Sequence, residues 1–546
     1  MKNLGFWNHP LRNWQGEAFE ATKAKQRQAV DFDRFMCEGV PGSGKTRFGM
    51  RVAHNALFTG FAKRLAILVP TDHLCKQWAI DAAYYGINLD PYFENNMGRE
   101  SSEYHGIVTT YAAIGANPSV HANLTKSSKT LVIIDEIHHL GENKVWGDAV
   151  LYAFEEAIFK LCLSGTAFRS DKNMIPFIKY VNGVSQADYT YTYTQAIIDG
   201  VCRMVYFPAY NGKMEWRVDG ETHIHTFDDA LDDTQSSERL RTALDTDGDF
   251  MRELITAADK KLSQIRTEEF HSDAGGLITA IDQEHARRIQ DLVEDITGEY
   301  PEIVISDDKQ SSRKIKEFRD NARKWIVSCK MISEGVDIPR LRVGVYATNI
   351  RSELYFRQFV GRFVRVLAHL DAQDAFLFMP MDPVLLSFAT QIETEREHAL
   401  DKVKEKGTKE KKESDYEGED PTPKGDRNKK VFEAVASEVT GSHQFEISFD
   451  DKVASMFNLP VAVATKVTSG AKIITNTAPP PLFEQKKIIR EEINTLAKTY
   501  AKQKGNGSID WDVAHKDWIR QGGKRIDDET LPELKKRKNW LQSQIN

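Results

Sequence analysis

Short runs of consecutive apolar, largely β-branched residues recur along this chain and alternate with segments of helical spacing. LAILVP (65–70), GIVTT (106–110), LVIIDE (131–136) and LCLSGT (161–166) occupy the first part; GLITAI (276–281), EIVIS (302–306), KWIVSC (324–329), VGVYAT (343–348) and DAFLFM (374–379) occupy the second. A strand that is apolar on both faces suits a parallel sheet covered by helices on either side. The pattern predicts an α/β chain: two parallel-sheet domains in tandem, followed by a mainly helical C-terminal accessory domain. We place the first domain at 1–200, a connector with helical segments at 201–270 and the second domain at 271–392. The connector holds an acidic, polar stretch at 226–249. Residues 393–430 are dense in Lys, Glu, Asp, Gly and Pro and cannot bury a core, so a solvated helix end and a charged flexible linker are expected there. Residues 431–546 form the accessory domain, a short mixed segment and then helices.

Composition narrows the function class. With 546 residues the chain has room for three or four domains, and a net charge of −7 excludes a uniformly basic nucleic-acid coat. The five cysteines (Cys37, Cys75, Cys162, Cys202, Cys329) are scattered without a C-x-x-C pair, which argues against structural zinc and disulfides. Residues 1–20 lack a signal-peptide core and no apolar run reaches membrane-span length, so a cytoplasmic protein without a membrane partner is expected.

The chemistry is concentrated in two places. Gly39-Val40-Pro41-Gly42-Ser43-Gly44-Lys45-Thr46 fits G-x-x-x-x-G-K-[ST]. Gly42 and Gly44 permit backbone N–H groups to turn toward phosphate oxygens, at the positive end of the helix that follows. Lys45 can reach the β- and γ-phosphates of ATP, and the Thr46 hydroxyl can ligate Mg²⁺. Downstream, Asp135 and Glu136 end a buried strand, where the ligands of a parallel sheet gather. Asp135 is expected to hold Mg²⁺ through its water shell, and Glu136 to orient and deprotonate the attacking water. His138 and His139 lack companion metal ligands and are expected to couple this site to the neighbouring domain.

Six motifs in order give the chain a resemblance to the superfamily 2 helicases and translocases. Leu11-Arg12-Asn13-Trp14-Gln15 resembles the family's adenine-reading element, in which Arg12 and Gln15 contact the nucleotide. The phosphate loop is the second motif. Asp135-Glu136-Ile137-His138 is similar to the DEAH form of motif II, and Ser164-Gly165-Thr166-Ala167-Phe168-Arg169 to motif III, with Ala167 where Pro is common. Ser333-Glu334-Gly335-Val336-Asp337-Ile338-Pro339 resembles motif V, and Gln358-Phe359-Val360-Gly361-Arg362-Phe363-Val364-Arg365 matches Q-x-x-G-R-x-x-R, motif VI. The resemblance implies two RecA-like domains and a split site. Arg362 and Arg365 would stabilise charge on the γ-phosphate, Gln358 would help place water or phosphate, and Gly335 and Asp337 would contact ribose or the domain interface.

By the same resemblance a nucleic-acid strand crosses the strand ends, contacted by Pro70, Thr71, Thr109, Thr110, Arg169, Thr279 and Ser333. The C-terminal region holds Lys535-Lys536-Arg537-Lys538 beside Trp540, with Trp511 and Trp518 upstream. Either a nucleic-acid surface or a helical bundle with core tryptophans fits this pattern, and the region also suits protein partners. The expected activity is an ATP- and Mg²⁺-dependent DNA helicase or translocase of the restriction and repair type. An RNA helicase, a duplex-DNA translocase without strand separation and an ATP-gated nucleic-acid-binding subunit are the alternatives.

Overall fold

The computed structural model describes residues 4–165, 174–182, 184–269, 271–305, 307–308, 310–329, 338–367, 370, 373–405, 432–443, 479–504 and 512–545. They divide into two compact units. The first comprises Met1–Gly39, Gly44–Thr190 and Val467–Asn546, and the second Val40–Ser43 and Tyr191–Lys466. No described helix is long and apolar enough to cross a membrane.

In the first unit the apolar runs become β1 (Arg34–Gly39), β2 (Arg64–Val69), β3 (Leu89–Asp90), β4 (Gly106–Thr110), β5 (Thr130–Asp135) and β6 (Phe159–Ser164). A small hairpin of β7 (Lys179–Val181) and β8 (Val184–Gln186) precedes β9 (Tyr189–Tyr191). The seven-stranded sheet has the order β3-β4-β2-β5-β6-β1-β9, and the pairs from β3 through β1 are parallel. Every residue of β2, β4, β5 and β6 is buried, as helices on both faces require. The order sets β1, β6 and β5 side by side, with Glu38 opposite Ser164 and Asp135 opposite Leu163. The phosphate loop, motif II and motif III therefore leave one edge of the sheet from three adjacent strands.

The second unit is built on β10 (Val205–Tyr206), β11 (Ala209–Val218), β12 (Glu221–Thr226), β13 (Gly275–Ala280), β14 (Glu302–Val304), β15 (Trp325–Ser328), β16 (Leu341–Ala347), β17 (Ala375–Pro380) and β18 (Phe432–His443). Its nine-stranded sheet runs β12-β11-β17-β16-β13-β15-β14, with β10 on β17 and β18 on β11. The strands from β17 to β14 are parallel, whereas β12 and β18 flank β11 antiparallel, so the sheet is mixed. The architecture is two RecA-like α/β units in tandem with a helical C-terminal region.

Two boundaries differ from expectation. The stretch 201–270 is part of the second unit: it supplies β10, β11 and β12, and its helices enter the core. In helix Asp249–Glu268, Phe250, Met251, Leu254, Ile255, Ala258, Leu262 and Ile265 are buried at three- and four-residue spacing, a helical stripe that begins where the acidic stretch ends. The region 431–546 is shared out. Phe432–His443 lines β11 from Val218 back to Ala209 in the second unit, whereas helices Leu482–Lys504, Asp512–Arg520 and Leu531–Ile545 belong to the first. Helix Pro383–Glu405 continues into the expected linker, the rest of which lies outside the described residues.

The C-terminal helices form a small bundle around Ile493, Ala497, Tyr500, Ala514, Leu534 and Leu541. Trp518 and Trp540 meet with ring centroids 5.3 Å apart, and Arg537 of the basic run turns inward to Glu529 at 3.5 Å, while Trp511 lies outside the described residues. An ion pair between a buried lysine and a half-buried glutamate fastens the bundle to the segment between β3 and β4. Lys486 donates to Ser101 Oγ at 3.1 Å and Glu103 Oε2 at 3.3 Å, and the Leu531 N–H donates to the same Glu103 oxygen at 2.7 Å. Burial holds the Lys486 ammonium below the usual lysine range, with Glu103 opposing that shift. Removing the carboxylate strands a buried cation. Glu103→Ala is expected to cost about 3 kcal/mol. Amide exchange across Leu482–Lys504 should accelerate with it; unchanged protection there would refute the fastening role.

Candidate active site

The phosphate loop leaves β1 at Gly39 and enters helix Lys45–Phe58. Gly42 and Gly44 have φ of +79° and +97°, a conformation that side-chain-bearing residues resist. Gly44 caps the helix without a side-chain hydrogen bond, and the first turn carries no acid, so the positive end of the helix is left to a ligand. Lys45 folds back over the loop: its ammonium donates to the Gly39 carbonyl at 3.0 Å and lies 3.7 Å from Glu136 Oε1. Thr46 stands half-buried beside it.

Gln15 ties the N-terminal element to this loop. Its amide N–H donates to the Gly44 carbonyl at 3.0 Å, and its oxygen accepts from the Arg12 backbone N–H at 2.9 Å. A Cβ at residue 44 would lie 2.7 Å from the Gln15 amide nitrogen and 3.4 Å from the Arg12 guanidinium. The side chain read as an adenine contact is 1% exposed and holds the loop in shape.

Motif II is held by bonds from several elements. Asp135 ends β5 at 9% exposure, and the Trp78 indole N–H donates to its Oδ2 at 2.8 Å. The Tyr111 hydroxyl donates to its backbone carbonyl. Glu136 adopts φ +51°, and its Oε2 accepts from the Gly165 N–H at 3.0 Å. A left-handed glutamate at the end of a buried strand is local strain, which the neighbouring bonds maintain. His138 is buried and meets Ser164 Oγ at 3.2 Å and Glu136 at 3.7 Å, a partnership with motif III inside the first unit. The strand order brings Lys45 beside Glu136, with Thr46 and Asp135 next to them in the chain, and adds Trp78, Tyr111 and Gly165. Nothing in the local sequence around Trp78 or Tyr111 marks them.

In the second unit, Gln358 lies on helix Glu353–Val360, and Arg362 and Arg365 follow it, all three half-buried. The arginine segment is pinned by the Arg203 N–H to the Val364 carbonyl at 2.8 Å and by a Cys202–Arg365 bridge. Among the nucleic-acid candidates, Thr71 is exposed and Pro70 half-buried at the end of β2. Thr109 and Thr110 are buried, with the Thr110 hydroxyl capping the next helix through Ala113 N–H. Thr279 is buried against the Tyr355 hydroxyl at 2.8 Å. Arg169, Ser333, Gly335 and Asp337 lie outside the described residues.

The donor set suits a nucleoside triphosphate with a divalent cation: loop N–H groups and an ammonium for phosphate, a hydroxyl and a carboxylate for the cation. Gln15→Ala is expected to weaken the element by about 1 kcal/mol, the scale of a lost helix cap. Urea unfolding reads this directly, and an unshifted midpoint would contradict the tie.

Residues 8–169 match the family model of the type III restriction enzyme res subunit. Over 407 residues the chain is 44% identical to an uncharacterized protein of Mycobacterium leprae (strain TN), covering 73% of this chain and 67% of that one. It is also 44% identical over 400 residues to an uncharacterized protein of Mycobacterium tuberculosis (strain ATCC 25618 / H37Rv), covering 72% and 65%. The chain therefore spans about two thirds of these relatives' length. Among solved structures, the HsdR-subunit fragment of a type I restriction enzyme from Vibrio vulnificus YJ016 aligns with a TM-score of 0.50 at 17% identity, over 71% of this chain and 67% of that one. That likeness is one of fold.

Proposed function

Because the chain belongs to the superfamily 2 helicases and translocases of the restriction and repair type, we propose that it hydrolyses ATP to move along or unwind DNA. The observation that carries the reading is the approach of Lys45, at the start of the helix after β1, to within 3.7 Å of Glu136, which follows Asp135 at the end of β5 two strands away. The match of residues 8–169 to a restriction-enzyme subunit supports DNA over RNA as the partner.

In this mechanism the loop N–H groups and Lys45 bind the β- and γ-phosphates. Thr46 and Asp135 would hold Mg²⁺, which neutralises phosphate charge when bound. Glu136, fixed by Gly165, orients the attacking water and holds its proton on a carboxylate oxygen. Arg362 and Arg365 offset the charge that develops on the transferred group, and Gln358 orients water or phosphate. Gly335 and Asp337 serve the nucleotide, and Pro70, Thr71, Arg169 and Ser333 the nucleic-acid phosphates, as in the family.

The deciding experiment is ATP turnover measured with single-stranded DNA, duplex DNA and RNA side by side. Stimulation by DNA is expected, and turnover indifferent to every nucleic acid would overturn the reading. Lys45→Ala should abolish nucleotide binding. Glu136→Gln should retain binding yet lose about 10²- to 10⁴-fold in turnover. Arg362→Ala should keep ATP affinity and lose about 10³-fold or more, the scale of an arginine finger, and near-normal turnover would remove that role.

A further inference from the structure

Two aromatic donors converge on one aspartate from segments that begin at the candidate nucleic-acid contacts. Trp78 lies on helix Asp72–Tyr84, which starts directly after Pro70 and Thr71. Tyr111 opens helix Tyr111–Ala116, directly after Thr109 and Thr110. Trp78 is 2% exposed and its indole donates to the Asp135 carboxylate at 2.8 Å; Tyr111 is fully buried and its hydroxyl donates to the Asp135 backbone carbonyl. A Cβ on Gly49 would lie 3.4 Å from the far edge of the Trp78 ring, so the indole also rests against the phosphate-loop helix.

A carboxylate turns about a broad, roughly two-fold torsion, and a well-aligned donor on one oxygen fixes its plane. The indole can only donate, so it holds the ionised form in a single orientation. Indole and hydroxyl are both anchored on short, rigid stretches of helix. A displacement at Thr71 or Thr110 is therefore carried to Asp135 through packed and hydrogen-bonded atoms rather than through a mobile loop.

We infer that Trp78 and Tyr111 are positioning residues: they orient Asp135 for its divalent cation and link that orientation to phosphate seated at the two strand ends. The inference rests on the ATPase reading above and extends it to the means by which nucleic acid influences the nucleotide site.

The test uses the full chain, a fluorescent ADP analogue, Mg²⁺ titration and a mixed-sequence DNA duplex. For Trp78→Phe, the Mg²⁺ concentration that half-saturates nucleotide binding should rise about tenfold, the scale of a lost hydrogen bond to a charged group. Affinity in EDTA should stay within about twofold of the parent, and DNA should no longer lower the Mg²⁺ requirement. Trp78→His, which keeps a ring N–H, should recover part of the loss. Tyr111→Phe removes one buried oxygen and should weaken the DNA effect independently. Equal Mg²⁺ requirements in parent and Trp78→Phe, or a raised requirement that Trp78→His leaves unchanged, would overturn the inference. A parent that binds nucleotide without any Mg²⁺ dependence would instead overturn the ATPase reading, and this inference with it.

Discussion

The ion pair between Lys45 and Glu136 spans 3.7 Å, and it exists only because a parallel sheet sets the ends of three strands side by side. One residue comes from a helix start and the other from a strand end, some ninety positions apart in the chain. Neither position has meaning without the order β5-β6-β1. The order in turn depends on strands that are apolar on both faces, since a strand with one wet face could not occupy the middle of such a sheet. Burial thus comes first and chemistry second: the sheet concentrates two carboxylates and an ammonium at an edge where phosphate oxygens can replace some of their mutual contacts.

The bonds around motif II share a common logic. Glu136 is held in a left-handed conformation and bonded by Gly165; Asp135 is held by a tryptophan and a tyrosine. The Trp78 and Gly165 bonds each limit the rotation of a carboxylate, and the Tyr111 bond fixes the backbone of Asp135, so the entropy of orientation is lost on folding. Gln15 acts on the loop in the same sense from a third direction.

Sequence alone revealed much of this, for identifiable reasons. The phosphate loop and the Asp135-Glu136 pair are contiguous, and their chemistry depends on residue types at fixed local offsets. The central strands were visible because continuous apolar runs survive any reading frame. What stayed hidden depends on tertiary placement. Trp78 and Tyr111 look like ordinary core aromatics until the strand order puts Asp135 beside them. The stretch 201–270 reads as a connector because the acidic, polar run at 226–249 dominates it, while the buried stripe of helix Asp249–Glu268 lies beyond that run. An amide at position 15 suits an adenine edge, and the sequence does not reveal that the same amide bonds the backbone of Arg12 and Gly44.

The pairing of β18 with β11 has a consequence for biogenesis. Residues Ala209–Val218 leave the ribosome more than two hundred positions before the segment that covers one of their edges. Until Phe432–His443 arrives, a nascent chain exposes a ten-residue row of unpaired amide groups, a template for adhesion to other chains. A chain cut short before residue 432 would leave that row open. The sheet of the second unit is therefore completed on that edge only when residues 432–443 have been made.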